Sequence, residues 1–277
     1  IDICFGWICS GYLGGGFLFL INAAMTIRPD FFGLDSVADA VRWSFLSVSV
    51  WWALFLIPIL LRVQDNGKNM PGSTFKLAVK KVFYTLKTVS SKKNVFIFLI
   101  AFFLYIDGVH TIMAMAADFA LNLGLPSSNV IVALILVQFV AFPTTLLWSK
   151  FAYKFGDKNT LLFTILLYLV VIGYSAFLSN AVEFYILASM VGAIQGGIQS
   201  ISRSYYATLI PQKDSGEYFG FYNMFGRAGA FLGPALVAIF VTFFQDTRYG
   251  LIPVAALFIM GAIILLKVKT NSGSLQS

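Results

Sequence analysis

Apolar residues in this chain come in runs of about 20 or more, separated by short polar stretches, rather than in strict alternation. A helix rises about 1.5 Å per residue, so about 20 apolar residues cross a hydrocarbon core about 30 Å thick. The pattern predicts eight such helices, over about 5–26, 41–62, 94–122, 129–149, 160–179, 182–207, 217–244 and 249–267. The strands of a membrane barrel would instead alternate over about ten residues each. The expected fold is therefore an all-α polytopic membrane protein.

Composition agrees: 59% of residues are hydrophobic and only 11% charged, against about a quarter charged in a soluble domain. The mean hydropathy is +0.84. A net charge of +7 raises nucleic acid as a partner, but its distribution argues against one. Fifteen of the 19 basic residues fall in alternate connections. Arg62 through Lys93 precede the third span, Lys150, Lys154 and Lys158 follow the fourth, Arg203 and Lys213 follow the sixth, and Lys267 and Lys269 follow the last. That is the positive-inside pattern, and it places these loops and the C-terminus in the cytoplasm. A bacterial protein of this kind would lie in the cell (inner) membrane.

Residues 63–93 form the one long polar connection, and they divide the chain. The expected organisation is a two-helix segment at 1–62, a cytoplasmic linker at 63–93, a six-helix unit at 94–269 and a tail at 270–277. Within the linker, Phe75, Val79, Val82, Phe83, Leu86 and Val89 recur at helical spacing among lysines. Two readings fit: a plain basic linker, or an amphipathic helix at 74–93 on an anionic leaflet, and the apolar stripe favours the second. Six spans after a long connector are expected of a transporter built from two six-helix halves, so four further helices are expected upstream of Ile1. The third and sixth spans hold equivalent places in two three-helix repeats, and both carry glycine and polar residues. GxxxG spacings at Gly11/Gly15, Gly192/Gly196 and Gly229/Gly233 predict close helix packing. Pro58, Pro143, Pro234 and Pro253 predict kinks.

The polar residues inside the spans are the candidate chemistry. Asp107 falls near the middle of the third span, where an aspartate costs about 2.5–3.5 kcal/mol on insertion scales. It must face the protein interior or a water-filled cavity, as a transport-path group that exchanges protons or as a structural hydrogen-bonding group. Asp118 lies eleven residues on, about 16 Å along the axis and only about 20° around it. Thr111 and Ala114 fall between, and Asp118 reads as a solvated boundary residue. His110, one turn from Asp107, either shares its proton or makes a structural hydrogen bond. Gln195, Gln199 and Ser202 or Arg203 line one side of the sixth span. Asn223 and Arg227 share a face of the seventh, and Gln138 is a further amide in the fourth. Arg203 near the cytoplasmic end either snorkels or meets helix-terminal carbonyls, and for Arg227 snorkelling competes with a cytoplasmic gate or anionic-solute contact. Cys4 and Cys9 lie about 140° apart on one helix, which fits apolar filling rather than a disulfide or metal site. No cofactor is expected. With one histidine, no HExxH and no GxSxG, an intramembrane enzyme has little to build on.

Four stretches carry a resemblance: SGYLGGGFLFLIN (10–22), FLIAFFLYIDGVHTI (98–112), GGIQSISRSYYATLIP (196–211), and GEYFGFYN with FLGP (216–223 and 231–234). In order, they resemble the vacuole-effluxer-like branch of the major facilitator superfamily, whose best-known members are autophagy-related vacuolar amino-acid exporters of fungi. The resemblance implies a twelve-helix facilitator fold of which this chain supplies the last eight helices. It also implies a small-molecule solute as partner, with a lean toward amino-acid efflux; the position of Asp107 separately adds protons as a candidate coupling ion. SKFAYKFGDK (149–158) is similar to the superfamily's loop signature, although Ser149 stands for its leading glycine and Tyr153 for its aspartate. The alternative reading is a non-transporting membrane scaffold or receptor, or an inactive fragment of a transporter.

Overall fold

The computed structural model describes residues 2–62, 89, 92–212 and 215–269. The amphipathic helix expected at 74–93 lies outside them apart from Val89, Lys92 and Lys93, as does the tail. The described secondary structure is helical throughout: α1 (Asp2–Ile27), α2 (Val37–Arg62), α3 (Lys93–Asn122), α4 (Ser127–Phe155), α5 (Asp157–Ser175), α6 (Ala181–Leu209), α7 (Ser215–Phe244) and α8 (Leu251–Leu266). Short 3₁₀ turns at Pro29–Phe32 and Thr247–Gly250 precede α2 and α8. Seven helical segments, α2 through α7 and Thr247–Leu266, are long and apolar enough to cross a membrane; in α1 the apolar part counted is Gly11–Ile27. This is an integral, multi-pass helical membrane protein. Helices are the answer because hydrocarbon offers backbone N–H and C=O groups no other partner.

The ends of the helices depart from the sequence expectation where local chemistry outlasts the apolar run. The basic loop expected at 150–158 is mostly helix: α4 continues through Lys150 and Lys154 to Phe155. Only Gly156, at φ 81° and ψ 149°, breaks it before Asp157 opens α5. A helix that has left the hydrocarbon keeps its hydrogen bonds until a residue without a Cβ permits this conformation. Pro253, expected to kink a span, falls in the first turn of α8, where its missing N–H is not needed. At the other end of α6, Ile210 is extended ahead of Pro211, whose ring disfavours helix in the preceding residue.

Contacts divide the chain into two compact units, residues 13–82 and residues 1–12 with 83–277. In the first, Ser47 donates to Asn22 Oδ1 at 2.8 Å and ties α2 to α1. Ser36 caps the start of α2 by accepting from the Asp39 N–H at 3.1 Å. In the second, the main pairings are α4 with α6, α3 with α8 and α7, and α5 with α6 and α8. Exchanging α3-α4-α5 for α6-α7-α8 leaves that pattern unchanged: α3 on α7 becomes α6 on α4, and α3 on α8 becomes α6 on α5. The two three-helix repeats expected from position are thus visible as equivalent packing.

Glycine makes close pairing possible at two equivalent seams. A Cβ at Gly192 would sit 2.7 Å from the Val137 carbonyl oxygen, one at Gly197 2.5 Å from the Trp148 ring, and one at Gly196 would overlap the Thr145 hydroxyl. The Trp148 indole N–H then reaches the Ala193 carbonyl at 2.7 Å across the same seam. Gly229 and Gly233 form the equivalent seam on α7 against α3. Gly11 and Gly15, despite the same spacing, meet nothing within 4 Å. Gly192→Leu is expected to destabilise the six-helix unit by about 1–3 kcal/mol through overpacking. Gly173→Leu, whose added side chain meets open space, is expected to change stability by less than about 0.5 kcal/mol. Thermal unfolding of the detergent-solubilised protein measures both.

Candidate functional site: a buried aspartate and the cavity beside it

Asp107 lies in the middle third of α3, where α7 and α8 clasp that helix from two sides. On the α7 side, a Cβ at Gly229 would lie 3.4 Å from the Asp107 Cβ, and one at Gly233 3.2 Å from Asp107 Oδ2. On the α8 side, a Cβ at Gly261 would lie 3.0 Å from the Tyr105 Cβ, while Phe258 fills the space Gly108 leaves open. The carboxyl is 0% exposed; no side chain bonds either oxygen, and the polar group set toward it is the Gly233 backbone N–H. Thr111 does not serve it: its hydroxyl donates to the Asp107 backbone carbonyl at 2.7 Å.

Beside this carboxyl, toward the Asn122 end of α3, lies a cavity of about 520 Å³. Thr111, Met115, Asp118 and Asn122 line it from α3, and the ends of α5, α6, α7 and α8 close it. The stripe expected from sequence thus holds at Thr111 and Asp118, but Ala114 is exposed and Met115 takes its place in the lining. Asp118 is itself exposed.

Toward the Lys93 end the same bundle is filled with rings. Phe102 stacks on Tyr222 at 4.2 Å between centroids, Tyr222 on Tyr206 at 5.1 Å, and Tyr206 on Phe98 at 5.6 Å. The Tyr206 hydroxyl donates to the Tyr218 carbonyl at 3.0 Å. Side chains lash the helix ends together there. Lys158 Nζ donates to the carbonyls of Leu266 and Val268 at 3.0 and 2.6 Å, and Ser204 donates to Asp157 at 3.0 Å. Asn94 exchanges bonds with the Lys269 backbone at 3.3 and 3.4 Å.

The other sequence candidates separate. Gln195 is buried and donates to the Met113 sulfur at 3.1 Å. Gln199 and Gln138 are half-buried. Ser202 faces α3 and shares a 2.7 Å hydrogen bond with the Tyr105 hydroxyl, whereas Arg203 is exposed and lies over the Phe219 ring at 5.0 Å. The sixth-span stripe therefore turns: its inner edge is Gln195 and Ser202, and its outer edge is Arg203. His110 is half-buried, and its Nδ1 lacks a partner. Asn223 and Arg227 are exposed on α7, on the helix that carries the Asp107 seam. Among the described residues, no group of three or more His, Cys, Asp or Glu side chains is placed to hold a metal. Sequence reasoning missed Lys158 as a cross-helix clamp, because it reads there as one more loop charge. It also missed the Tyr105–Ser202 bond, because nothing in sequence pairs residues on two helices.

A multi-pass helical protein whose six-helix unit encloses an unpaired acid is the class these features define. The chain belongs to the vacuole effluxer Atg22-like family, whose profile matches residues 5–277. It is 34% identical over 267 residues to YxiO of Bacillus subtilis (strain 168), named as an uncharacterized MFS-type transporter, covering 95% of this chain and 62% of YxiO. It is 25% identical to autophagy-related protein 22-2 of Penicillium rubens, covering 95% of this chain and 49% of that protein. Against autophagy-related protein 22 of Cryptococcus neoformans (serotype D, strain JEC21) it is 28% identical, covering 81% and 43%. The chain thus spans between 43% and 62% of the length of these three relatives.

The Tyr105–Ser202 bond has a measurable value. Tyr105→Phe and Ser202→Ala are each expected to cost about 0.6 kcal/mol, and no more than about 1.7. The double variant should cost less than their sum, as a double-mutant cycle in detergent unfolding would show.

Proposed function

We propose that the complete protein carries a small solute across the membrane by alternating access, and that Asp107 is the group that takes up and releases the coupling proton. The observation that carries this reading is a carboxyl with 0% exposure and neither a side-chain donor nor a cation on either oxygen, held where backbones meet at glycine. A structural aspartate would be hydrogen-bonded or paired, since a lone buried charge is costly. A proton carrier needs the opposite: a site where the neutral form is at ease and no fixed cation holds the charged form. The names of the relatives, an MFS-type transporter and autophagy-related proteins, support membrane transport. The family's description as vacuole effluxers supports export of a small solute, with amino acids first among the classes to be tried.

In this reading the chain supplies the last eight of twelve helices, and the basic ends of the spans lie in the cytoplasm. Gln138, Gln195, Gln199, Asn223 and Arg227 are the solute-contact candidates, and His110 is a proton neighbour one turn from Asp107. Arg203, stacked on Phe219 at 5.0 Å, serves as a cytoplasmic-side contact. A lysine-rich helix at 74–93 would rest on the anionic leaflet.

The full-length protein in proteoliposomes, given a mixture of labelled amino acids and an imposed pH gradient, tests this. Asp107→Asn is expected to lower pH-driven accumulation at least tenfold while counterflow of the same solute persists. Undiminished pH-driven uptake by Asp107→Asn would remove the proton role.

A further inference from the structure

The cavity beside Asp107 lies inside the six-helix unit. From this we infer that protons reach Asp107 through that cavity, by a water-filled branch whose lining includes none of Gln199, Asn223 and Arg227. The inference rests on the proton-site reading above and adds the route.

Three observations converge on it. The cavity, about 520 Å³, is far larger than the roughly 30 Å³ share of one water. Its lining is mostly apolar, and the polar groups along which a chain of water would run are Thr111, Asp118, Asn122, Ser175, Thr242 and Thr247. Its inner end is Thr111, one turn of α3 from the Asp107 carboxyl and on the same side of the helix. Its outer end carries Asp118, whose charge draws protons toward the mouth. In the opposite direction the stacked rings of Phe98, Phe102, Tyr206 and Tyr222 fill the bundle. Access is therefore one-sided: open in principle toward the Asn122 end, obstructed toward the Lys93 end.

The charges around Asp107 leave this route intact. Among described residues, α8 has no charged group between Leu251 and Leu266. On α7, Glu217 and Arg227 are exposed. On α6, Glu183 is engaged at the N-cap with Ser179 and Asn180, and Arg203 lies over Phe219. On α4, Lys150 and Lys154 are exposed near its Phe155 end. Beside the mouth, Arg248 donates to the Leu178 carbonyl at 3.3 Å, and Asp246 accepts from the Arg248 N–H. On α3 itself, Tyr105 is bonded to Ser202, and His110, three residues on from Asp107, is half-buried.

Single cysteines in an otherwise cysteine-free full-length protein, reconstituted in sealed vesicles, report the route without knowledge of the solute. Thr111→Cys and Ser175→Cys line the cavity; Thr164→Cys, buried on α5 and outside it, is the control. The membrane-impermeant reagent trimethylammonium-ethyl methanethiosulfonate should modify the first two, from the Asp118 side, at least tenfold faster than the control. Ala238→Trp, which fills the cavity, should slow modification of Thr111→Cys at least tenfold and lower pH-driven uptake; Ala238→Phe serves if the tryptophan prevents folding. Modification at the control rate, or only from the side of the basic loops, overturns the route. So does full pH-driven uptake by a filled variant when Asp107→Asn has lost it. Labelling as expected alongside unimpaired pH-driven uptake by Asp107→Asn would instead overturn the proton site and leave the water-filled branch standing.

Discussion

Hydrocarbon gives a polar group nothing to bond to, so each such group inside a membrane protein must find its partner in the chain. The helices satisfy the backbone, and most hydroxyls follow the same rule. Thr145 donates to Ala141 at 2.6 Å, Ser200 to Gly196 at 2.6 Å and Ser175 to Ile172 at 2.7 Å, each within one turn of its own helix. Asp107 departs from that economy. Around it stand Gly229, Gly233 and a threonine whose hydroxyl is turned to the backbone, with no side chain bonded to its oxygens.

The bundle has two unlike ends. Near Lys93, stacked rings and the bonds of Lys158, Ser204 and Asn94 fasten the helix termini to one another. Near Asn122, the helix ends diverge around a cavity. The asymmetry comes from side-chain choice rather than backbone, since the packing of one three-helix repeat is matched by the other. A near-symmetric scaffold is thereby given a direction, which is what vectorial chemistry across a membrane requires.

Much of this was legible in the order of residues, and the failures have physical causes. Spans were plain because solvent dictates length: 94–122 against Lys93–Asn122 and 182–207 against Ala181–Leu209. Their ends were less so, because α4 runs on past its apolar stretch until Gly156 permits a break. Asp107 stood out because a lone acid in an apolar run has few innocent explanations. The cavity did not, since Val171, Leu187, Val237 and Val254 look like any other span residues until five helices meet. Glycine spacing marked close contacts at Gly192/Gly196 and Gly229/Gly233, while Gly11 and Gly15 meet no neighbour among the described residues, because spacing encodes the opportunity for contact and not the neighbour.

The paired seams have a mechanical consequence. At Gly192 against Val137, and at Gly229 against Phe103, backbone meets backbone with no side chain between. Such joints have no alternative rotamers through which to yield, so α4 with α6 and α3 with α7 behave as stiff beams. Between α3 and α6 the ties are few and soft: Tyr105 with Ser202 at 2.7 Å, Gln195 with the Met113 sulfur at 3.1 Å, and the Phe98 ring against Tyr205 and Tyr206. Flexing of the six-helix unit would bear on that line of hydroxyl, amide and ring contacts rather than on the glycine seams.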